Sequence, residues 1–288
     1  MSQVMSTSLI ACTIDSTVSA IVRLKTSGGN GYILSACKTL PFGINDFAPG
    51  KGMRFLKKLE NHLKEWKADE LALSIAAKTW LPLPASFPAG ATPEEYQKYC
   101  RIEAEYFLTK PDQYLCDCTD YGSPEGLHEK HLLLFYPAEP CKTISDFLSV
   151  NHRIVFKSST QLPLLHLSRF AGEPQILLEL ERNAVIFTIT INGRIEKFSC
   201  RQVKSREETE YFAIRELVNN PVCREKGVMV SGAMADKAMT TLISKETSIV
   251  LKPLRLPASI FIGNSQEFDL SSSAVVKAIG TALTAMAQ

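Results

Sequence analysis

The sequence predicts an α/β fold made of two related lobes, with a small α+β subdomain inserted in the first lobe. Two β-meanders about half a chain apart support this prediction, because each is a run of three apolar strands separated by short polar turns. The predicted strands are 9–14, 19–25 and 32–38 in the first meander and 176–180, 184–191 and 194–200 in the second. The pair Asn192–Gly193 is a strong hairpin signal, so the second meander is predicted to be antiparallel.

Each meander is followed by a predicted helix and strand, so the two lobes share one order of elements. After the first meander, apolar residues from Phe55 to Trp66 recur at i, i+4, i+8 and i+11, as on an amphipathic helix. Residues 71–76 follow as a short apolar strand. After the second meander, a helix is predicted at 207–219 and a strand at 227–230.

The inserted subdomain is predicted at about 90–150. Residues 81–93 are rich in proline and are predicted to break any regular element. Thr92 and Glu95 form a capping box around Pro93, which predicts the start of a helix. The resulting division of the chain is a first lobe at 1–170 that includes this subdomain, a second lobe at 171–265, and a C-terminal helix at 266–288 that returns to the first lobe.

Composition and charge describe an ordinary folded chain. The 288 residues are 45% hydrophobic and 22% charged, which excludes a disordered or fibrous protein. A net charge of +2 gives no general attraction to polyanions, so no nucleic-acid partner is predicted. The sequence has no apolar run of the ~18 residues that a membrane-spanning helix needs, and no signal peptide is predicted. We therefore expect a cytoplasmic protein.

Two cysteines and two histidines are candidate ligands for a metal ion. Cys116, Cys118, His128 and His131 are ligand types that zinc accepts. Cysteines at i and i+2 share one face of a strand, which allows joint ligation but equally suits the buried side of an ordinary strand. The C-x-C spacing departs from the usual zinc hook, so no metal site is predicted.

Six segments, taken in order, resemble one family. They are IDSTVSAIVRL at 14–24, EEYQKYCRIEAEYFL at 94–108, HLLLFYPAEP at 131–140, ILLELERNAVIFTITINGRI at 176–195, MVSGAMA at 229–235 and VVKAIGTAL at 275–283. The series resembles the PilM-type pilus assembly proteins, which are relatives of the division protein FtsA within the actin-like ATPase superfamily. The resemblance covers nearly the whole chain.

The resemblance implies a bacterial cytoplasmic protein with the two-lobed, duplicated ribonuclease H-like fold of actin, which binds ATP and Mg²⁺ between its lobes. It also implies that the protein docks the short cytoplasmic N-terminal tail of an inner-membrane partner, in a groove between the first lobe and the inserted subdomain. The protein would then be peripheral to the inner membrane through its partner. The implied setting is the platform of a type IV pilus or a related secretion machine.

The resemblance also assigns a nucleotide site. In the family, tight turns hold phosphates through backbone N–H groups, and a carboxylate holds Mg²⁺ through water. The glycine expected at the third turn position is Thr17 here, and in the second turn a glycine is replaced by Glu181, whose carboxylate would repel phosphates. The sequence therefore favours a lapsed site with no cofactor over a working site for ATP and Mg²⁺. The assigned residues, if ATP binds, are Asp15, Ser16, Thr17, Glu179 and Gly232.

Two of these residues have simpler interpretations that stay open. Aspartate is common in turns, so Asp15 equally suits a solvated turn without Mg²⁺. A glycine such as Gly232 equally suits a plain turn from a strand to a helix.

Aromatic residues of the predicted helix at 94–108 are candidates for the partner groove, because aromatic anchors concentrate binding energy. A stripe of this kind more often packs in the core of its own subdomain, and that alternative is the favoured one. The candidates are Tyr96, Tyr99, Tyr106 and Phe107.

The sequence thus favours a non-catalytic adaptor that recruits the tail of an inner-membrane protein. The first alternative is a functional ATP-binding protein whose partner binding depends on the nucleotide. A more distant alternative is a sugar-kinase-like enzyme of the same superfamily, although the short chain leaves little room for a sugar pocket.

Overall fold

The structure is a computed structural model that describes residues 8–27, 31–47, 52–77, 79–122, 127–170, 174–256, 260–262 and 272–287. The strands are β1 (Ser8–Ile14), β2 (Ser19–Thr26), β3 (Tyr32–Leu40), β4 (Glu70–Ile75), β5 (Leu81–Pro88), β6 (Tyr114–Asp120), β7 (His128–Pro137), β8 (Arg153–Ser159), β9 (Gln175–Leu180), β10 (Ala184–Ile191), β11 (Arg194–Gln202), β12 (Val228–Ser231), β13 (Leu251–Pro253) and β14 (Ile260–Ile262). The helices are α1 (Gly52–Glu65), α2 (Pro93–Phe107), α3 (Cys141–Ser149), α4 (Gln161–His166), α5 (Arg206–Val218), α6 (Val222–Lys226), α7 (Lys237–Thr247) and α8 (Ser273–Met286).

Two sheets share one topology. The first has the strand order β14-β3-β2-β1-β4-β8, and the second has the order β11-β10-β9-β12-β13. In each sheet the first three strands in sequence form an antiparallel meander. A fourth strand, β4 or β12, pairs in parallel with the first strand of the meander, and a fifth, β8 or β13, pairs in parallel with the fourth. The duplicated meanders predicted from the sequence are therefore confirmed.

The turn at Asn192–Gly193 also agrees with its prediction. Asn192 has φ +52° and Gly193 has φ +80°, and two successive positive φ values define the type I′ turn that matches the twist of a hairpin. The turn joins β10 to β11 with Ile191 opposite Arg194.

By contacts between residues, the chain divides into two compact units. One comprises residues 1–77, 138–170 and 256–288, and the other comprises residues 78–137 and 171–255. The first sheet lies in the first unit, and the second sheet lies in the second unit together with a three-stranded sheet of order β5-β7-β6. The lobe boundaries given by the sequence analysis stay a prediction.

The three-stranded sheet corrects one expectation. Its edge strand β5 occupies the proline-rich residues that were predicted to break any regular element. Pro82, Pro84 and Pro88 stand at alternate positions of this edge strand, which pairs with β7 along its whole length. An edge strand tolerates proline, because a missing N–H group that points to the open side costs no hydrogen bond of the sheet. Helix α2 packs against this sheet. It begins at the predicted capping box of Thr92 and Glu95.

Helix α8 is buried along most of its length. Every residue from Ala274 to Thr284 is buried, and the helix packs on β1, β2 and α4. One residue in this buried run, Lys277, carries a charge. Among the described residues, no helix is both long and apolar enough to cross a membrane.

Candidate functional site

The first tight turn, residues 15–18, joins β1 to β2. The N–H of Asp15 donates to the carbonyl of Val18 at 3.0 Å and closes the turn. The N–H of Ser16 donates to Asp15 Oδ1 at 2.9 Å. The first two N–H groups of the turn are therefore engaged within the turn itself.

Lys277 of α8 holds the carboxylate of Asp15. The lysine Nζ lies 3.0 Å from Oδ2 and 3.1 Å from Oδ1. Lys277 is 1% exposed and Asp15 is 6% exposed, so the pair is buried. Lys277 is not among the site residues predicted from the sequence. Its single charge inside the apolar segment VVKAIGTAL was a usable signal, because a buried charge needs a partner.

A chain of hydroxyl groups lies beside this ion pair. Thr281 Oγ1 donates to the carbonyl of Lys277 at 2.8 Å, one turn earlier on α8. Thr281 then accepts from Ser74 Oγ at 2.7 Å, and Ser74 in turn accepts from Thr13 Oγ1 at 2.7 Å. These bonds connect β1, β4 and α8 through buried polar groups, which fixes the position of the helix that carries Lys277.

The residues after β3 cover the first turn. Ile44 N–H donates to the Asp15 carbonyl at 2.8 Å, and Asn45 N–H donates to the Ser16 carbonyl at 3.2 Å. Gly43 approaches so closely that a Cβ atom there would lie 2.3 Å from the Asp15 oxygen and 2.4 Å from the Thr17 nitrogen. The turn backbone is therefore packed against its own chain.

The second tight turn, residues 181–184, joins β9 to β10 in the same way. The N–H of Glu181 donates to the carbonyl of Ala184 at 2.9 Å. The last strand pair before the turn is Leu180 with Val185, just as Ile14 pairs with Ser19 in the first meander. Counted from these pairs, Asp15 corresponds to Glu181, and Glu179 corresponds to Thr13.

Within this chain, then, Glu181 is the counterpart of Asp15. The resemblance had given the acidic position to Glu179, two residues earlier. Glu179 is 1% exposed and Glu181 is 4% exposed. Two carboxylates therefore lie buried at the end of β9, where the family is expected to present one carboxylate and a glycine.

Gly232 has a structural explanation. Its φ is +103°, a value that side chains rarely permit. A Cβ atom at this position would lie 2.4 Å from the carbonyl oxygen of Leu180, and the same oxygen accepts the N–H of Met234 at 2.8 Å. The turn after β12 is therefore folded onto the end of β9, and only glycine fits there.

The four aromatic candidates of α2 do not share one surface. The rings of Tyr96 and Tyr99 lie 5.9 and 5.1 Å from the ring of Phe87, in the core between α2 and the three-stranded sheet. Tyr106 is 82% exposed and Phe107 is 57% exposed at the end of the helix. The core alternative thus describes the first two residues, and an open surface describes the last two.

The two histidine candidates for a metal site lie in different environments. His128 is exposed, whereas His131 is buried and stacks on Phe87 with 5.2 Å between ring centres. Burial lowers the pKa of His131 and outweighs the opposing carboxylates of Asp120 and Glu129. Among the described residues, no group of three or more His, Cys, Asp or Glu side chains is placed to hold a metal ion.

No protein-family model and no curated protein matches this sequence. Solved structures do match it. The PilM-PilN type IV pilus biogenesis complex aligns with a TM-score of 0.68 at 13% identity, over 96% of this chain and 98% of that chain.

Two more distant structures also align. One is a Bacteroides thetaiotaomicron protein with an actin-like ATPase fold and unknown function, with a TM-score of 0.48 at 11% identity over 94% of this chain and 95% of that chain. The other is the cytoplasmic domain of EpsL, an inner membrane component of the type II secretion system of Vibrio cholerae, with a TM-score of 0.47 at 10% identity over 96% of this chain and 95% of that chain.

The chain has the actin-like ATPase fold, which confirms the predicted fold class. The repeated strand order of its two larger sheets is the duplication that this class requires. At 13% identity, the likeness establishes the fold and leaves activity and partners to be argued from the residues.

Proposed function

We propose that this chain is a non-catalytic adaptor of actin-like fold on the cytoplasmic side of a type IV pilus or a related secretion platform. It binds the cytoplasmic tail of an inner-membrane partner. The likeness in fold to a pilus biogenesis complex, over nearly the full length of both chains, supports this setting. The buried ion pair of Asp15 and Lys277 is the observation that carries the non-catalytic part of the proposal.

The first turn does not fit a magnesium nucleotide. A Mg²⁺ ion bound near Asp15 would have to tolerate the ammonium group of Lys277, which lies 3.0 Å from the carboxylate. Phosphate oxygens need free N–H groups, but the N–H groups of Asp15 and Ser16 already donate within the turn. The residues present therefore suit a fixed structural joint better than a site that exchanges nucleotide.

The second turn supports the same conclusion on its own. Glu181 takes the position that corresponds to Asp15, and its N–H donates to Ala184. Together with Glu179 it buries two carboxylates at the end of one strand, and negative charge at this density opposes phosphate binding. Gly232, which the resemblance also assigned, is accounted for by its close approach to Leu180.

The end of α2 offers the surface for the partner. Tyr106 and Phe107 are large, exposed and adjacent, and Ile102 is 48% exposed one turn before Tyr106. Aromatic side chains contribute most to binding when a partner covers them, because they bury a large area with few rotatable bonds. A short tail with apolar residues is the chemistry that this surface would recognise.

Mg-ATP is expected to leave the thermal unfolding of the protein unchanged. A ligand present at 100 times its dissociation constant would add about 2.7 kcal/mol to the free energy of unfolding, which is easily measured as a rise in melting temperature. The measurement is thermal unfolding with and without Mg-ATP, together with titration calorimetry. Saturable heat at sub-micromolar affinity that disappears in Asp15→Ala would instead establish the nucleotide-dependent alternative.

Tail binding is expected to depend on the end of α2. The probe is a synthetic peptide with the cytoplasmic N-terminal sequence of a single-pass membrane protein encoded beside this chain. Tyr106→Ser and Phe107→Ser should each weaken binding about thirtyfold or more, because loss of an interface anchor costs about 2 kcal/mol or more. The measurement is fluorescence anisotropy of the labelled peptide.

The matched control is Tyr211→Ser on α5, because Tyr211 is an aromatic residue 59% exposed on a different element. It should leave the affinity unchanged. Equal weakening by all three variants, or no binding to the wild-type chain, would contradict the proposed docking surface.

A further inference from the structure

The exposed side of helix α1, in the first unit, carries a concentrated positive charge. Arg54, Lys57 and Lys58 are all exposed, whereas the leucines of the helix are buried. Since a helix turns by about 100° per residue, these cations fall within an arc of about 100°, on the side away from the leucines. Residues 52–67 hold five basic and two acidic residues, a net charge of +3, whereas the whole chain has a net charge of +2. The excess positive charge is therefore concentrated in this one stretch.

The stability of the helix does not explain these three cations. They lie in its first two turns, where the helix dipole is already positive, and the first turn contains no acidic residue. Helices α2 and α5 show the usual arrangement, with two glutamates in the first turn of each. Among the residues that the structure describes, no carboxylate forms an ion pair with the three cations, whereas Lys64 further along α1 pairs with Glu60 at 3.0 Å. Their charge is therefore available to a partner outside the chain.

We propose that the basic face of α1, formed by Arg54, Lys57 and Lys58, binds the anionic phospholipid surface of a membrane directly. Each lysine or arginine near such a surface strengthens binding about fivefold, and the attraction weakens as salt is added. Met53, 47% exposed beside Arg54, adds an apolar side chain that the headgroup region of a bilayer accepts. The phosphate backbone of a nucleic acid offers no such environment, so the composition of this face favours a lipid surface.

The contact is peripheral and electrostatic. The apolar side of α1 is buried within the protein, so the helix rests on the headgroups through its charges and does not insert. The inference rests on the proposed function only for the membrane concerned, because the tail of an inner-membrane partner would keep α1 within reach of that surface. Three cations alone bind weakly, and a second contact through the tail strengthens both, since the second binding event becomes intramolecular.

The experiment mixes the full-length protein with vesicles of pure phosphatidylcholine, or of an equimolar mixture with phosphatidylglycerol, and separates bound from free protein by flotation. We expect binding to the mixed vesicles at low salt, little binding to the neutral ones, and progressive release as potassium chloride is added. The triple variant Arg54→Gln/Lys57→Gln/Lys58→Gln should lower the partition coefficient about a hundredfold. Its melting temperature should not fall, because glutamine favours helix and the lost charges oppose the helix dipole.

The matched control is Lys226→Gln/Lys237→Gln/Lys245→Gln, which removes the same net charge from three exposed lysines of the second unit. This variant should leave the partition coefficient nearly unchanged. Neither triple variant alters Tyr106 or Phe107, so both should bind the tail peptide with the wild-type affinity. Loss of tail binding with vesicle binding intact would contradict the proposed function and leave the lipid contact supported, so the two proposals can fail separately.

Three results would overturn the lipid contact. The first is a wild-type chain that does not bind the mixed vesicles at low salt. The second is an equal loss of binding in the two triple variants, which would reflect net charge alone. The third is a preference for double-stranded DNA over the mixed vesicles at equal concentrations of anionic groups, which would assign the basic face of α1 to nucleic acid.

Discussion

Lys277→Met is expected to lower the free energy of unfolding by about 3–5 kcal/mol, the usual cost of removing one partner from a buried ion pair. Methionine keeps most of the volume of the lysine stem, so the change removes the charge and little packing. The carboxylate of Asp15 is 6% exposed, so without Lys277 its charge would be buried with no cation beside it, although it would still accept a hydrogen bond from the N–H of Ser16. Chemical denaturation followed by circular dichroism measures the loss.

Two controls separate the buried pair from other effects. Asp15→Asn/Lys277→Met should recover most of the loss, because removing both charges leaves neither one buried alone. Lys64→Met breaks an ion pair with Glu60 of the same 3.0 Å length, but Lys64 is 53% exposed, so it should cost at most about 1 kcal/mol. A deficit in Lys277→Met that is no larger than in Lys64→Met would contradict the structural role of the pair.

The sequence contained most of the fold because its strongest signals are local. Alternating apolar residues and the Asn192–Gly193 turn depend on neighbouring residues, and the capping box at Thr92 lies within four positions of the chain. Local signals of this kind can be recognised in the sequence without knowledge of the tertiary structure. The prolines of β5 misled the prediction because a proline breaks a strand only when its missing N–H should face a neighbour, and pairing is not visible in the sequence.

The candidate site could be predicted only in part, because its decisive contacts join distant residues. Lys277 reaches Asp15 across 262 positions, and Gly43 covers the first turn from the far end of the meander. Residue types and spacing indicated the turn at Asp15, but not that a buried cation occupies its carboxylate.

The register of the second meander also could not be predicted from the sequence, although it involves residues close together in the chain. Resemblance along the sequence gave the acidic position to Glu179, whereas strand pairing makes Glu181 the counterpart of Asp15 within this chain. A shift of two residues preserves the alternation of a strand, so pattern alone cannot detect it. Pairing decides, because Leu180 and Val185 mark where the strand ends and the turn begins.

Gly232→Ala is expected to destabilise the protein by about 2–5 kcal/mol in the absence of any nucleotide. Alanine at φ +103° is strained, and its Cβ would lie 2.4 Å from the Leu180 oxygen and 2.9 Å from the Leu180 nitrogen. Both atoms belong to the backbone of β9, which pairs on both sides and cannot easily move. The measurement is the midpoint of chemical denaturation at constant slope.

Gly90→Ala is the control that separates the steric clash with Leu180 from the backbone strain of a positive φ. Gly90 also has a positive φ, +76°, but a Cβ atom there would meet nothing within 4 Å, so this variant should cost only about 1–2 kcal/mol. A larger loss in Gly232→Ala than in Gly90→Ala assigns Gly232 to the packing of the turn on β9. Equal losses, or a loss in Gly232→Ala that Mg-ATP reverses, would return Gly232 to the nucleotide site that the resemblance assigned.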